Sequence, residues 1–149
     1  MESKLLRKDI LEEARRRILE EDVPCVFVRD GFLQAGEGTG VRPLIAALER
    51  KPEAFRGCVI VDKIVGKAAA MLAVLGGAAG VYGITMSAAA RDYLVSREVP
   101  AEWETLTERI ANRTGTGLCP METAVLEIDD PAEGCAALKE TIRRLAARR

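Results

Sequence analysis

The 149-residue chain contains no histidine. That absence removes every mechanism built on an imidazole, including Ser-His-Asp and Cys-His pairs. The four cysteines, Cys25, Cys58, Cys119 and Cys135, are widely dispersed and form no C-x-x-C. No zinc site of the H-x-E…P-C-x-x-C type can therefore be assembled, and no metal or other cofactor is expected. Carboxylate, lysine, thiol, hydroxyl and backbone amide remain for chemistry. Aromatics are scarce at 4%, which disfavours base-stacking platforms. Net charge is only −1, so no bulk positive field draws nucleic acid or an anionic membrane. The opening Met1-Glu2-Ser3-Lys4 leads into a charged helical pattern rather than a signal peptide. Cytoplasmic location and reduced thiols are the expectation.

The remaining composition is that of one globular domain, with 48% hydrophobic and 30% charged residues. From Ala68 to Ala90 the chain carries no charge. Gly76, Gly77, Gly80 and Gly83 interrupt this run, which reads as helix, tight turn, buried strand and next helix instead of a membrane span.

Along the chain, Ser3 is placed to cap a helix to about Glu21, with Leu6, Ile10, Ala14 and Ile18 as its apolar stripe. Cys25–Val28, the turn Arg29-Asp30-Gly31 and Phe32–Ala35 predict a hairpin. Gly36-Glu37-Gly38-Thr39-Gly40 then leads to a short helix opened by Pro43. Cys58–Val61 is an interior strand followed by a helix from Lys63 to about Leu75. Val81–Thr85 is a second buried strand, and Ser87 caps a helix to about Arg97. Pro100–Leu106 is an edge strand carrying Trp103. Asn112–Gly117 is a loop, Leu118–Glu122 opens a short helix or turn, and Asp130-Pro131-Ala132-Glu133 caps a terminal helix. Helix, hairpin, helix, strand, helix, strand, helix, strand implies a three-layer α/β/α sandwich with a mixed sheet of about five strands. Residues 1–149 form one domain, with 107–149 as a C-terminal extension packed on it.

Three segments are candidates for chemistry. Asp62-Lys63-Ile64-Val65-Gly66-Lys67 sits where a strand is expected to end and a helix to begin, the usual ligand edge of an open α/β sheet. Lys63 and Lys67, four apart on that helix, would present two ammonium groups beside free N–H groups, a suitable cradle for phosphate or carboxylate. The bland alternative is a capping Asp62 and two solvated lysines. The Gly36–Gly40 loop, with Gly38 and Gly40, offers backbone amides to an anion or is a simple turn. In Gly115-Thr116-Gly117-Leu118-Cys119-Pro120-Met121-Glu122, Pro120 makes Cys119 the N-cap, where a helix start stabilises a thiolate. Glu122 then reaches that thiol or a ligand, or is only a capping glutamate.

The strand-end motif D-K-x-x-G-K-A-A-A at Asp62–Ala70, with N-R-x-G-T-G-L-C-P-M-E at Asn112–Glu122, resembles the DUF1893 family of uncharacterised prokaryotic proteins. The resemblance covers nearly the whole chain and implies a cytidine deaminase-like fold. In that fold P-C-x-x-C opens the helix after the third strand. The resemblance sets Asp62–Gly66 at that position, with Lys63 and Gly66 where metal thiolates would stand. No ligand lies in the helix near Thr39–Pro43, so the metal is absent and a lysine-rich pocket is left.

The expected function is metal-free binding of a small anionic or nucleotide-like ligand. Asp62, Lys63 and Lys67 would form the base, Gly38 and Gly40 one wall, and Asn112, Arg113, Gly115, Cys119 and Glu122 a lid. As an enzyme, it would use Cys119 as nucleophile, Lys63 as stabiliser or base, and Glu122 beside them. A non-catalytic sensor, or a structural or interaction domain, is the alternative. A homo-oligomer is compatible with either.

Overall fold

The computed structural model describes residues 2–148; Met1 and Arg149, the ends of the expected domain, lie outside the described residues. The elements are α1 (Lys8–Glu20), β1 (Cys25–Arg29), β2 (Phe32–Ala35), α2 (Arg42–Arg50), β3 (Val59–Val65), α3 (Lys67–Leu75), β4 (Gly80–Ser87), α4 (Ala88–Ser96), β5 (Ala101–Thr107), α5 (Pro120–Val125) and α6 (Pro131–Ala147). The strands form one mixed sheet in the order β2-β1-β3-β4-β5. β1 is antiparallel to both β2 and β3, and β3, β4 and β5 are parallel. The uncharged run resolves into α3, a turn, β4 and the start of α4, and no helix among the described residues is long and apolar enough to cross a membrane.

Side-chain alternation sorts the strands between two cores. Val26, Val28, Val61 and Tyr82 face α1, which meets them with Leu11, Ala14 and Ile18. Ile60, Val65, Val81 and Met86 face the other helices. Val61 and Val65 are four apart yet belong to opposite cores, so the alternation slips at the end of β3. Gly83 in β4 absorbs the resulting crowding: a Cβ there would come within 3.1 Å of Val65.

α3 is the centre of the fold. Its sequence, Lys-Ala-Ala-Ala-Met-Leu-Ala-Val-Leu, is apolar all round after the first residue, and Ala68–Ala73 are all buried. Such a helix needs cover on every side. The sheet lies beneath it, α2 and α4 flank it, and α5 and α6 close it from outside. Gly134 allows α6 to approach closely, because a Cβ there would overlap Met71.

Three boundaries differ from the sequence reading. α1 begins at Lys8, not after Ser3; the Ser3 hydroxyl instead accepts from Leu5 and Leu6 N–H in a separate turn and donates to Glu102. β3 does not end at Val61. Ile64 and Val65 continue the β-branched run and remain in register with Thr85 and Met86 of β4. α3 accordingly starts at Lys67 with Gly66 as N-cap, not at Lys63.

Candidate functional site

The β3–α3 junction is shaped by that late helix start. Asp62 and Lys63 both lie in β3, so Lys63 and Lys67 do not share a helix face. Lys63 is exposed, whereas Asp62 beside it is buried. The paired-lysine base is therefore corrected. So is the placement of Lys63 at a helix opening: the helix after the third strand opens at Lys67, and of the two only Gly66 stands at that opening, as its N-cap. Lys67 is not free either: its Nζ donates to the Leu126 carbonyl at 3.2 Å, closing the C-terminal end of α5.

The exposed amides of α3 hold an anion supplied by the chain itself. Gly66 provides no side-chain cap, and the first turn of α3 has no acidic residue. The Glu122 carboxylate fills the place, accepting from Lys67 N–H at 2.7 Å and Ala68 N–H at 3.0 Å. Only 8% of Glu122 is exposed. Burial raises its pKa, while the N–H groups of Ala68 and Lys67 and the Lys67 charge oppose that rise. Gly66 is a glycine because of this contact: a Cβ would lie within 2.6 Å of both carboxylate oxygens. Two motifs whose bonded residues lie 54 and 55 positions apart are thus one clasp, with Pro120 and Cys119 setting the start of the helix that carries Glu122.

Asp62 is the second buried carboxyl, 7% exposed in an interior strand. Burial pushes its pKa up to about 7, with the backbone N–H groups of Ile64 and Lys63 as the only relief. Its cross-strand neighbours are Cys25 and Gly83. Next to Cys25 comes Gly36, whose N–H donates to the Cys25 carbonyl at 2.9 Å and which has no room for a Cβ beside the Cys25 sulfur. Burial raises the Cys25 thiol, and the Asp62 charge adds to the effect. The row Gly36–Cys25–Asp62–Gly83 thus sets a carboxyl and a thiol side by side next to the glycine loop. Sequence reasoning places Cys25 only in a hairpin strand and misses its position at the site; its register opposite Asp62 is a tertiary fact.

The proposed lid is only partly assembled at this site. Glu122 reaches α3. Asn112 instead braces its own loop, its Oδ1 accepting from Thr116 N–H at 3.0 Å and its N–H donating to the Gly117 carbonyl at 2.8 Å. Gly115 is the positive-φ residue of that turn, and Arg113 is exposed. Gly38 and Gly40 adopt positive φ on an exposed loop, as an anion cradle or a plain turn would. Cys119 is the N-cap of α5 and half-buried, without a side-chain capping bond. Among the described residues no three His, Cys, Asp or Glu side chains converge as a metal site.

The thiols should differ sharply in reactivity. Burial raises the pKa of Cys25, Cys58 and Cys135 and shields all three, whereas Cys119 is partly open to solvent. Limiting iodoacetamide followed by peptide mapping should label Cys119 first. Equal labelling of all four in the native protein would contradict the buried positions of the other three.

Residues 13–142 match the domain of unknown function DUF1893. The chain belongs to the DUF1893 family. It is similar in structure to a DUF1893 family protein (TM1506) from Thermotoga maritima, whose crystal structure was determined at 2.70 Å resolution. The TM-score is 0.77 at 21% identity, over 93% of this chain and 92% of that one, which establishes a shared fold. No curated protein matches the sequence. The clasp joins the two segments that carry the sequence resemblance: Gly66 and the first amides of α3 come from one, Glu122 from the other.

Proposed function

We propose that this DUF1893 domain is a metal-free small-molecule sensor of cytidine deaminase-like fold, acting in the cytoplasm without catalysis. Its ligand is a small anionic or nucleotide-like molecule whose acidic group takes the place of the Glu122 carboxylate at the start of α3. The observation that carries this reading is the Glu122 clasp, in which two helix amides and a glycine form a seat that accepts an oxyanion. Asp62 lends independent support. Asp62 has no side-chain partner among the described residues; a buried carboxyl of that kind is costly in a plain core and is a common mark of a binding site. Protonated near neutrality, it could donate a hydrogen bond to a carbonyl of the same ligand. The deaminase-like fold is supported by the element order helix, hairpin, helix, strand, helix, strand, helix, strand.

Catalysis by Cys119 and Lys63 has less support. Lys63 is exposed in β3 while Asp62 beside it is buried, and Glu122 is engaged with backbone amides rather than with the thiol. Ligand entry would release Glu122 and, with it, the hold of α5 on α3, which turns binding into a conformational signal. Neither the charge balance nor the aromatic content favours nucleic acid as partner.

Thermal melts with phosphate, sulfate and a nucleoside monophosphate, each against chloride of equal ionic strength, test the reading. Glu122→Ala removes the internal competitor. Its melting temperature should rise with anion concentration more steeply than that of wild type, by the linkage relation that gives about 2.7 kcal/mol at a hundredfold excess over Kd. Identical responses to chloride and to the test anions in both proteins would rule out an anion seat.

A further inference from the structure

The two edges of the sheet are unequal. β5 carries Glu102, bonded to Ser3 and to Lys4 N–H, and Glu104, paired with Arg15 of α1; two copies paired through β5 would bring these acidic residues toward one another or disturb those contacts. The other edge, Gly31 to Gly36, has no charge, no proline and no lysine. It carries Phe32, one of only three phenylalanines in the chain and 80% exposed. Natural edges are ordinarily blunted by charge, proline or a bulge. β2 is only four residues long but has none of those, and beside it lies a groove of about 240 Å³ lined by Phe27, Arg29, Asp30, Phe32, Leu33 and Gln34.

We propose that β2 pairs with β2 of a second copy of this chain, joining two five-stranded sheets into one. The hydrogen-bond pattern fixes the register. Gly36 N–H donates to the Cys25 carbonyl, so Gly36, Gln34 and Phe32 turn their backbone groups toward β1. Leu33 and Ala35 therefore turn theirs outward. An antiparallel pairing centred on Gln34 facing the partner's Gln34 sets Leu33 against the partner's Ala35 and satisfies all four outward groups on each chain's edge. The side chains are compatible with this register. Phe32 falls opposite the partner's Gly36, which adds no side chain of its own, and beside the partner's Pro43, which packs over that glycine, while Leu33 falls opposite a small alanine. No charged side chain opposes another across residues 32–36, so self-pairing is electrostatically permitted here and penalised at β5. The two-fold axis makes the interface closed, so the assembly stops at a dimer. It also sets the partner's Phe32 at the base of the Gly36–Gly40 loop.

Sedimentation velocity across a concentration series should show a reversible dimer for the full chain. Phe32→Lys should weaken it by more than roughly tenfold, the usual consequence of removing a central aromatic anchor. Ala35→Pro should do the same through the backbone alone, since it deletes an outward N–H and leaves the β1–β2 bonds intact. Unchanged circular dichroism would show that each variant is folded. The register is tested separately by Gln34→Cys. Residues facing one another in a non-hydrogen-bonded antiparallel pair lie about 4.5 Å apart at Cα, within disulfide reach. Diamide oxidation should crosslink Gln34→Cys across the two-fold, while Leu33→Cys should not crosslink to itself. A wild-type monomer at all concentrations, a dimer indifferent to both edge substitutions, or crosslinking at Leu33→Cys in place of Gln34→Cys would each overturn the proposal.

Discussion

Replacing Gly66 with alanine should destabilise the domain about as much as deleting the side chain of Glu122, and the two changes together should cost little more than one. Gly66 has φ −98°, which any residue adopts, so the substitution carries no backbone strain. Its whole effect is steric: the new methyl would occupy the space of the Glu122 carboxylate. Either change strips two N–H groups at the start of a buried helix of their acceptor. Losing an ordinary N-cap costs about 1 kcal/mol, and a buried charge-assisted bond is worth roughly 1.5–3 kcal/mol. A loss of about 3 kcal/mol is therefore expected for each single variant, offset in part because the buried carboxylate no longer has to be desolvated. At this chain length that corresponds to a fall in Tm on the order of 6–12 °C. Denaturant unfolding of wild type, Gly66→Ala, Glu122→Ala and the double variant closes a thermodynamic cycle. Strong non-additivity is expected, because in the Glu122→Ala background the methyl meets empty space. Additive costs would mean that the two residues act separately and that no clasp exists.

The same junction shows what local reading of a sequence can reach. The hairpin was legible because Arg29-Asp30-Gly31 supplies its own turn chemistry, and Asp30 and Gly31 do adopt positive φ. The caps at Ser87 and Asp130 were legible for the same reason, each accepting from an N–H three residues on. The β3–α3 boundary was not. Asp62 resembles a cap and Lys63 a helix start, and only pairing of Ile64 and Val65 with β4 prolongs the strand. With the helix start set at Lys67 a signal does exist: the first turn of α3 has neither an acidic residue nor a Ser, Thr, Asp or Asn cap, so its amides require an acceptor from elsewhere. Which acceptor could not be read, because Glu122 lies fifty-five residues from Lys67 and already had a local explanation as the capping glutamate of α5. The five-stranded mixed sheet followed from element order. The central place of α3 was not read, although the uncharged run of residues 68–90 displays the all-round apolarity that demands it, without showing which elements cover it.

Asp62→Asn should stabilise the domain above neutral pH and leave it almost unchanged in acid. In the folded protein burial lifts this carboxyl from its ordinary 3.8 to about 7. Between those values the native state holds a proton that the unfolded chain has released, so the native state binds more protons and stability falls as pH rises. The contribution of neutral Asp62 is fully present below about pH 4 and is lost as pH climbs through 7. The displacement is equivalent to roughly 4 kcal/mol, an upper bound because the amide must also find partners for its two N–H donors. A gain of about 2 kcal/mol or more is expected at pH 8, with a flatter stability profile between pH 4 and 7. Urea unfolding at intervals across that range reads both quantities. Parallel curves for wild type and variant would show that Asp62 is ionised at little cost and would remove it as support for a binding site. Stabilisation at pH 8 together with loss of the anion-dependent shift would instead show a residue retained for recognition at the expense of stability. That outcome would distinguish Asp62 from Glu122, whose removal weakens the fold while opening the seat.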